Sequence, residues 1–206
     1  NLQKMIAWDL VPRPPDQQVL QGRWVYTLKE TSNQPPKPKA RWVVRGDQEE
    51  FDSLQDLYAA VAPASSLRLF LTLVAVMDLE LWQYDAVAAF LNAHVQDRVY
   101  VVQPQGLEDG TMRVCLLRRA LYGLRKAPAW WADRCRELLA KLGFEPIDAD
   151  QCLYRHRDGA LLITYVDDFL IGGDDDDAAA AAAVAAAAST TLDRRFSRRD
   201  TRCKKR

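Results

Sequence analysis

Residues 160–173 read ALLITYVDDFLIGG, two apolar runs with a pair of acids between them. An apolar run, Ala160–Tyr165, is followed by Asp167 and Asp168 and then by a second apolar run, Phe169–Ile171. Two adjacent charges between buried strands are costly to desolvate without a use. Hard carboxylate oxygens at a strand turn suit Mg²⁺. Just upstream, Cys152–Arg157 and Ala160–Tyr165 flank Asp158-Gly159, a dipeptide that supplies the positive φ angles of a tight hairpin. Further upstream Leu81–Tyr84 (LWQY) is a short strand that runs into Asp85, a third carboxylate. A bare aspartate pair is also a common turn or helix cap. The weight lies in the setting: strand–Asp-Asp–strand downstream of strand–Asp–short helix, with basic segments between.

Arg23–Lys29 (RWVYTLK) alternates with period 2 and reads as a strand. Ala40–Arg45 (ARWVVR) is its partner in a hairpin whose tip is the Pro-rich loop Thr31–Lys39. Ser65 and Ser66 cap a helix with the apolar face Leu67, Phe70, Leu71 and Val74. Arg98–Val102 and Met112–Leu117 read as strands around the turn-rich Pro104–Gly110. Pro128 stands at the first turn of a helix and Gly143 at its end, with Trp131, Cys135, Leu138, Leu139 and Leu142 on one face. Asp174–Ala188 is low-complexity; four acids ahead of an alanine run make a helix start, because they oppose the positive end of the dipole. Antiparallel hairpins with interspersed helices make the chain α+β.

The 206 residues are 49% hydrophobic and 27% charged, which is enough to build a core and excludes a disordered tail. Net charge is zero but segregated: +5 over residues 1–46, −9 over 47–110, +5 over 111–147, −7 over 148–188 and +6 over 189–206. A basic groove beside an acidic site is compatible with that pattern, as are solvated faces. Four well-separated cysteines without a C-x-x-C pair exclude a zinc knuckle and a disulfide scaffold, and suit a reducing compartment. Two histidines argue against His-based metal or triad chemistry. No G-x-x-x-x-G-K-[ST] occurs, so there is no P-loop. The longest wholly apolar run, Ala178–Ala188, is 11 residues, too short for a membrane helix. Asn1–Leu10 lacks the pattern of a signal peptide. Without an initiator Met, the chain reads as a piece of something longer.

Eight ordered stretches carry a family likeness: Gly22–Lys29 (GRWVYTLK), Lys39–Gly46 (KARWVVRG), Tyr58–Leu71 (YAAVAPASSLRLFL), Gln83–Asn92 (QYDAVAAFLN), Val99–Gly106 (VYVVQPQG), Leu121–Trp130 (LYGLRKAPAW), Gly143–Tyr154 (GFEPIDADQCLY) and Tyr165–Gly172 (YVDDFLIG). Together they resemble the reverse transcriptase domain of copia-type long-terminal-repeat retrotransposons. The likeness covers residues 8–173, with a faint tail at Phe196–Asp200. It implies the fingers and palm of a right-hand polymerase, with an antiparallel palm sheet packed on helices. Residues 1–64 and 94–126 would be fingers, and 65–93 and 127–173 palm. Residues 174–206 would be a low-complexity acidic and alanine segment with a basic tail, the degenerate remainder of a palm helix. The primer grip, thumb and ribonuclease H domain have no visible counterpart in these residues.

The same resemblance implies the site. Asp85 would be the first metal ligand, helped by the carbonyl of Ala86, and Asp167 would bind the metals with Asp168 beside it. Two Mg²⁺ ions, replaceable by Mn²⁺ and about 3.5–4 Å apart, would activate a primer 3′-hydroxyl and stabilise the leaving pyrophosphate. Phe90 would be the steric gate against a ribose 2′-hydroxyl; the plainer reading is a core aromatic. Lys39, Arg41 and Arg45 would neutralise the incoming triphosphate, and alternation puts all three on one strand face, opposite Trp42 and Val44; otherwise they are a solvated face. Tyr122 and Gly123, with Ala127-Pro128, would form a template and nucleotide platform, a glycine permitting close backbone approach. Arg125 and Lys126 would meet template phosphates, or form a solvated edge. Tyr165 and Val166 would face the template–primer. Trp130 and Trp131 suit helix packing, His94 and His156 the surface or a hairpin, and Cys115, Cys135 and Cys152 the core. Ala93 stands where the family pattern has Gly, and Lys126 where Gln is common.

The implied activity is RNA-directed DNA polymerisation on an RNA or DNA template–primer with dNTPs. The parent polyprotein would add ribonuclease H and integrase domains and act in a cytoplasmic virus-like particle before nuclear integration, with no membrane partner and no secretion. A second reading is a truncated, inert remnant that only binds nucleic acid, through the basic Arg194–Arg206. A third, Gly172-Gly173-Asp174-Asp175 as the GGDEF turn of a diguanylate cyclase, is a superficial match outside the hairpin context.

Overall fold

The structure, a computed structural model, describes residues 7–31, 34–50 and 57–174. In chain order the elements are β1 (Trp8–Val11), β2 (Val19–Leu20), β3 (Gly22–Thr31), β4 (Gln34–Val44), α1 (Ala64–Val76), β5 (Glu80–Asp85), β6 (Tyr100–Val101), β7 (Val114–Leu117), α2 (Ala127–Lys141), β8 (Phe144–Ile147), β9 (Asp150–His156), β10 (Leu161–Tyr165) and β11 (Asp168–Gly173). Short 3-10 turns lie at Gly46–Gln48 and Ala89–Asn92. The architecture is α+β. The chain divides into two compact units, residues 1–58 with 93–131 and residues 59–92 with 132–206.

The first unit holds a mixed four-stranded sheet, order β1-β7-β6-β2, and a separate antiparallel ribbon of β3 and β4. Strands β6 and β7 are shorter than the periodicity of Arg98–Val102 and Met112–Leu117 implies. The ribbon register pairs Trp24 with Trp42, Tyr26 with Ala40 and Leu28 with Pro38 on one face. Arg23 pairs with Val43, Val25 with Arg41, Thr27 with Lys39 and Lys29 with Lys37 on the other. The expected Pro-rich loop is largely strand: β4 starts at Gln34 and runs through Pro35, Pro36 and Pro38. A proline φ lies within the extended region; Pro35 and Pro36 fall at the register shift between Lys29 and Thr31, where the ladder is interrupted, and Pro38 turns its nitrogen to the edge away from β3, where a missing N–H removes no bond.

The second unit is built on an antiparallel five-stranded sheet, order β5-β11-β10-β9-β8. β9 and β10 form the hairpin expected at Asp158-Gly159, where Gly159 has φ 106°. Helix α1 covers one face: Phe70 and Val74 pack with Cys152, Leu153, Leu161 and Ile163. Gly172 permits that contact, since a β-carbon there would press on Val74. Helix α2 runs over the span that Pro128 and Gly143 bracket and buries Cys135 and Leu139.

Three expectations change. The N-cap of α1 is Pro63, with no side-chain cap bond, so Ser65 and Ser66 lie inside the first turn. Proline has no N–H to lose at a helix start and its φ suits one. The buried stripe of α1 is Phe70 and Val74, while Leu67 and Leu71 flank it and stay partly exposed. For His156 the surface reading gives way to the hairpin one: it ends β9 in the β9–β10 hairpin and is buried against the Phe144 ring, centroids 4.9 Å apart. The helix expected from Asp174 and the basic tail Arg194–Arg206 lie outside the described residues, apart from Asp174 itself. No helix among the described residues is long and apolar enough to cross a membrane.

Candidate active site

Strand β5 ends at Asp85 and β11 begins at Asp168, and the register sets these two residues directly opposite each other. Opposed residues on neighbouring antiparallel strands project to the same face, with β-carbons about 4.5–5.5 Å apart. Gln83 shares that face and its amide reaches Asp168 Oδ1 at 3.4 Å. Tyr165 pairs with Asp168 across the β10–β11 hairpin, which leaves Val166 and Asp167 as a two-residue turn. Val166 sits at φ 55°. A β-branched side chain in that left-handed region is strained, and strain of this kind persists only where the surroundings enforce it. One enforcing contact is visible: the Ala86 N–H donates to the Asp167 carbonyl at 2.7 Å, tying the turn to the end of β5. Asp85 is exposed, Asp167 and Asp168 are half-buried, Ala86 is buried, and Tyr165 and Val166 are exposed at the tip.

The donor chemistry fits a hard divalent ion: Asp85, Asp167 and Asp168 lie at one end of the sheet, and their carboxylates are oxygen donors. Like charges directly opposed in a sheet destabilise it, a cost that a cation between them offsets. As the side chains stand, no group of three or more His, Cys, Asp or Glu among the described residues is gathered closely enough to hold a metal ion. Beyond Asp85 the chain turns through Ala88, at φ 56°, into the 3-10 turn that carries a half-buried Phe90. Buried Asn92 donates to the Val87 carbonyl at 3.2 Å and closes that turn. Gln83 and Asn92 are supporting residues that were not singled out from sequence; their only signal was membership of the stretch QYDAVAAFLN.

The first unit carries the other predicted residues. Lys39 is exposed on β4, opposite Thr27. Arg41 lies over the Tyr122 ring, 5.7 Å from its centroid. Arg45 lies one residue past the end of β4. The strand ends at Val44, the Arg45 N–H donates to the Gln21 carbonyl at 2.8 Å, and the guanidinium pairs with Asp47 at 2.7 Å. The Tyr122 carbonyl accepts from the Val44 N–H at 2.8 Å. Gly123, at φ 94°, makes its close approach to the chain itself: a β-carbon there would collide with the Val44 carbonyl. Arg125 is drawn inward, its Nε donating to the Gly46 carbonyl at 2.6 Å and its N–H to Glu49 Oε2 at 2.6 Å. Burial pushes the Glu49 carboxyl up, and the Arg125 N–H and charge partly oppose that. Lys126 pairs with Asp97 at 2.8 Å. Arg125 and Lys126 thus brace their own unit. Trp130, Trp131, Cys115, Cys135 and Cys152 are buried, in line with packing roles; burial raises the Cys115 thiol to about 12. His94 is exposed and bridges to Arg119.

A family model described as reverse transcriptase (RNA-dependent DNA polymerase) matches residues 5–188. The chain is 33% identical over 179 residues to the Retrovirus-related Pol polyprotein from transposon TNT 1-94 of Nicotiana tabacum, a match covering 83% of this chain and 14% of that protein. It is 35% identical over 173 residues to the corresponding polyprotein from transposon RE1 of Arabidopsis thaliana, covering 80% of this chain and 12% of that protein. The chain therefore spans a small part of the length of either relative. A match this extensive, over the stretches that carry the aspartates, places the chain in the reverse transcriptase (RNA-dependent DNA polymerase) family, as a reverse transcriptase domain of copia-like retrotransposon type.

Proposed function

We propose that this chain is the fingers and palm of an RNA-directed DNA polymerase, the first unit acting as fingers and the second as palm. It would transfer dNTPs to the 3′-hydroxyl of a primer on an RNA or DNA template. The observation that carries the reading is the opposition of Asp85 and Asp168 across β5 and β11, with the Asp167 turn bonded to Ala86. Asp85, Asp167, Asp168 and the Ala86 carbonyl would hold two Mg²⁺ ions, for which Mn²⁺ substitutes. When bound, divalent metal supplies Lewis-acid activation of the hydroxyl and charge stabilisation of the leaving pyrophosphate.

The chain's own residues orient and exclude. The Ala86–Asp167 bond holds the Asp167 turn against the end of β5, and Gln83 restrains Asp168. Phe90 would crowd a ribose 2′-hydroxyl. Lys39, Arg41 and Arg45 would neutralise polyanionic substrate. Tyr122 and Gly123 would act as platform, with Arg125 and Lys126 serving the template chiefly by holding that loop in place. Tyr165 and Val166, exposed at the tip, would bear on the template–primer. In a parent polyprotein the domain would work beside ribonuclease H and integrase domains, within a cytoplasmic particle that precedes nuclear integration.

Primer extension on a short RNA template, with Mg²⁺ and then Mn²⁺, tests this beside the Asp167→Asn protein. Incorporation that vanishes in the variant is the expected result. No incorporation by a chain shown folded by circular dichroism would replace the reading with that of an inert, nucleic-acid-binding remnant.

A further inference from the structure

The first unit contains a cavity of about 170 Å³ whose lining is charge-balanced. Glu49, Glu50 and Asp97 supply three acids, and Arg98, Arg125 and Lys126 three bases. Leu20, Leu57 and Val99 give it an aliphatic wall. The volume lies below the roughly 300–1,000 Å³ of sites for drug-sized ligands, so its occupant is smaller than those. The frame is braced before anything enters. The Gln18 side-chain amide donates to the Gln48 carbonyl at 2.7 Å, tying the approach to β2 to the 3-10 turn just before Glu49. Lys126 is held on Asp97, and Arg125 on the Gly46 carbonyl.

These bonds leave one acceptor and one cation over. Glu49 gives Oε2 to the Arg125 N–H, and its Oε1 accepts no hydrogen bond among the described residues. Arg98 enters no hydrogen bond or ion pair among them. Glu49 is half-buried and Arg98 is exposed. Burial makes the ionised Glu49 carboxylate costly, and a cation beside it would offset that cost. A polyanion such as a nucleotide would set its phosphates against three carboxylates, and a polyamine would set its ammonium groups against three cations. A zwitterion meets neither penalty. It offers an ammonium to Glu49, a carboxylate to Arg98 and an aliphatic side chain to Leu20, Leu57 and Val99.

We propose that this cavity binds a small aliphatic zwitterion, in chemical class a free α-amino acid, with its ammonium on Glu49 and its carboxylate on Arg98. The site belongs to the first unit alone and is independent of the proposed polymerase reaction.

The test is a saturation-transfer NMR titration of the full chain at neutral pH. The probes are L-leucine, isoamylamine, which lacks the carboxylate, and 4-methylpentanoate, which lacks the ammonium. L-leucine should bind saturably, and each analogue about 10- to 150-fold more weakly, the loss of one charge-assisted hydrogen bond. The variants should cross with the probes. Glu49→Gln keeps an acceptor for the Arg125 N–H and removes the charge. It should bring L-leucine down to the level of 4-methylpentanoate without weakening 4-methylpentanoate itself. Arg98→Gln should bring L-leucine down to the level of isoamylamine without weakening isoamylamine. Arg98 is exposed and unbonded, so its variant carries the test alone should Glu49→Gln unfold. No saturable binding of L-leucine, or equal binding of all three probes, would overturn the proposal. Tightest binding of 4-methylpentanoate would make this an anion site instead, and tightest binding of isoamylamine a cation site. The Asp167→Asn protein should bind L-leucine as the parent does. Failed primer extension with L-leucine binding intact would therefore count against the polymerase reading alone, and the converse pattern against the cavity alone.

Discussion

Asp85, the last residue of β5, stands opposite Asp168, the first residue of β11. Two carboxylates held face to face at a strand end, with Asp167 in the adjoining turn, create a demand for positive charge, and removing one of the three should weaken the response to divalent metal. In the parent protein Mg²⁺ should raise the melting temperature, because a ligand that binds only the folded state stabilises it. Asp85→Asn or Asp167→Asn should abolish most of that rise and cut incorporation more than about 100-fold, the upper range seen even for residues that merely support a metal ligand. Melting curves with and without Mg²⁺, alongside primer extension, check this; retained activity in either variant would remove the aspartates from the site.

Phe90 follows Asp85 by one short turn and is half-buried. If its ring crowds the sugar, Phe90→Val should relax the preference for dNTP over NTP by about 10-fold or more. Competition between the two nucleotides in primer extension measures it. A fall in melting temperature with unchanged sugar preference would make Phe90 a core residue instead.

Gly123→Ala tests the packing of the Tyr122–Gly123 loop on β4. The position combines φ 94° with a collision against the Val44 carbonyl. Strain and clash together should cost about 3 kcal/mol or more, readable in urea or thermal unfolding. Gly159→Ala is the control: its φ is 106°, but nothing lies within 4 Å of an added β-carbon. Its cost should be confined to the conformational part, about 1–3 kcal/mol.

Glu49 gives a pH prediction. Burial raises its folded pKa above the unfolded value, so the folded state holds its proton longer than the unfolded state. Stability from this group is therefore full below about pH 4.3, its unfolded pKa, and falls as pH rises through the raised folded value. Glu49→Gln keeps an acceptor for the Arg125 N–H and removes the desolvated charge. The variant should be at least as stable as the parent at pH 7 and should lose this part of the pH dependence, as urea titrations between pH 4 and 7 would show.

The hairpin that presents Asp167 and Asp168 was legible because its signals are local: an apolar run, two aspartates, another apolar run, and Asp158-Gly159 one strand earlier. The short strand into Asp85 was legible for the same reason. What escaped reading depends on the partner strand or on distant residues. Prolines at 35, 36 and 38 look like breakers until the pairing shows the first two at a register shift and the third with its nitrogen on the unpaired edge. Lys126 looks free for phosphate until Asp97, 29 positions away, is brought beside it. The packing reason for Gly123 appears only when the Val44 carbonyl is set against it.

The prolines of β4 have a consequence for how copies of this chain behave together. A bare ribbon with uncovered aromatic residues is the kind of surface that recruits further strands and seeds ordered aggregates. Recruitment needs a row of backbone donors along an edge, and β4 lacks one on its outer edge at Pro38, with Pro35 and Pro36 interrupting the ladder near its start. The β4 edge of the ribbon is therefore a poor template for a further strand beside its prolines, while the β3 edge, which has none, keeps its donors.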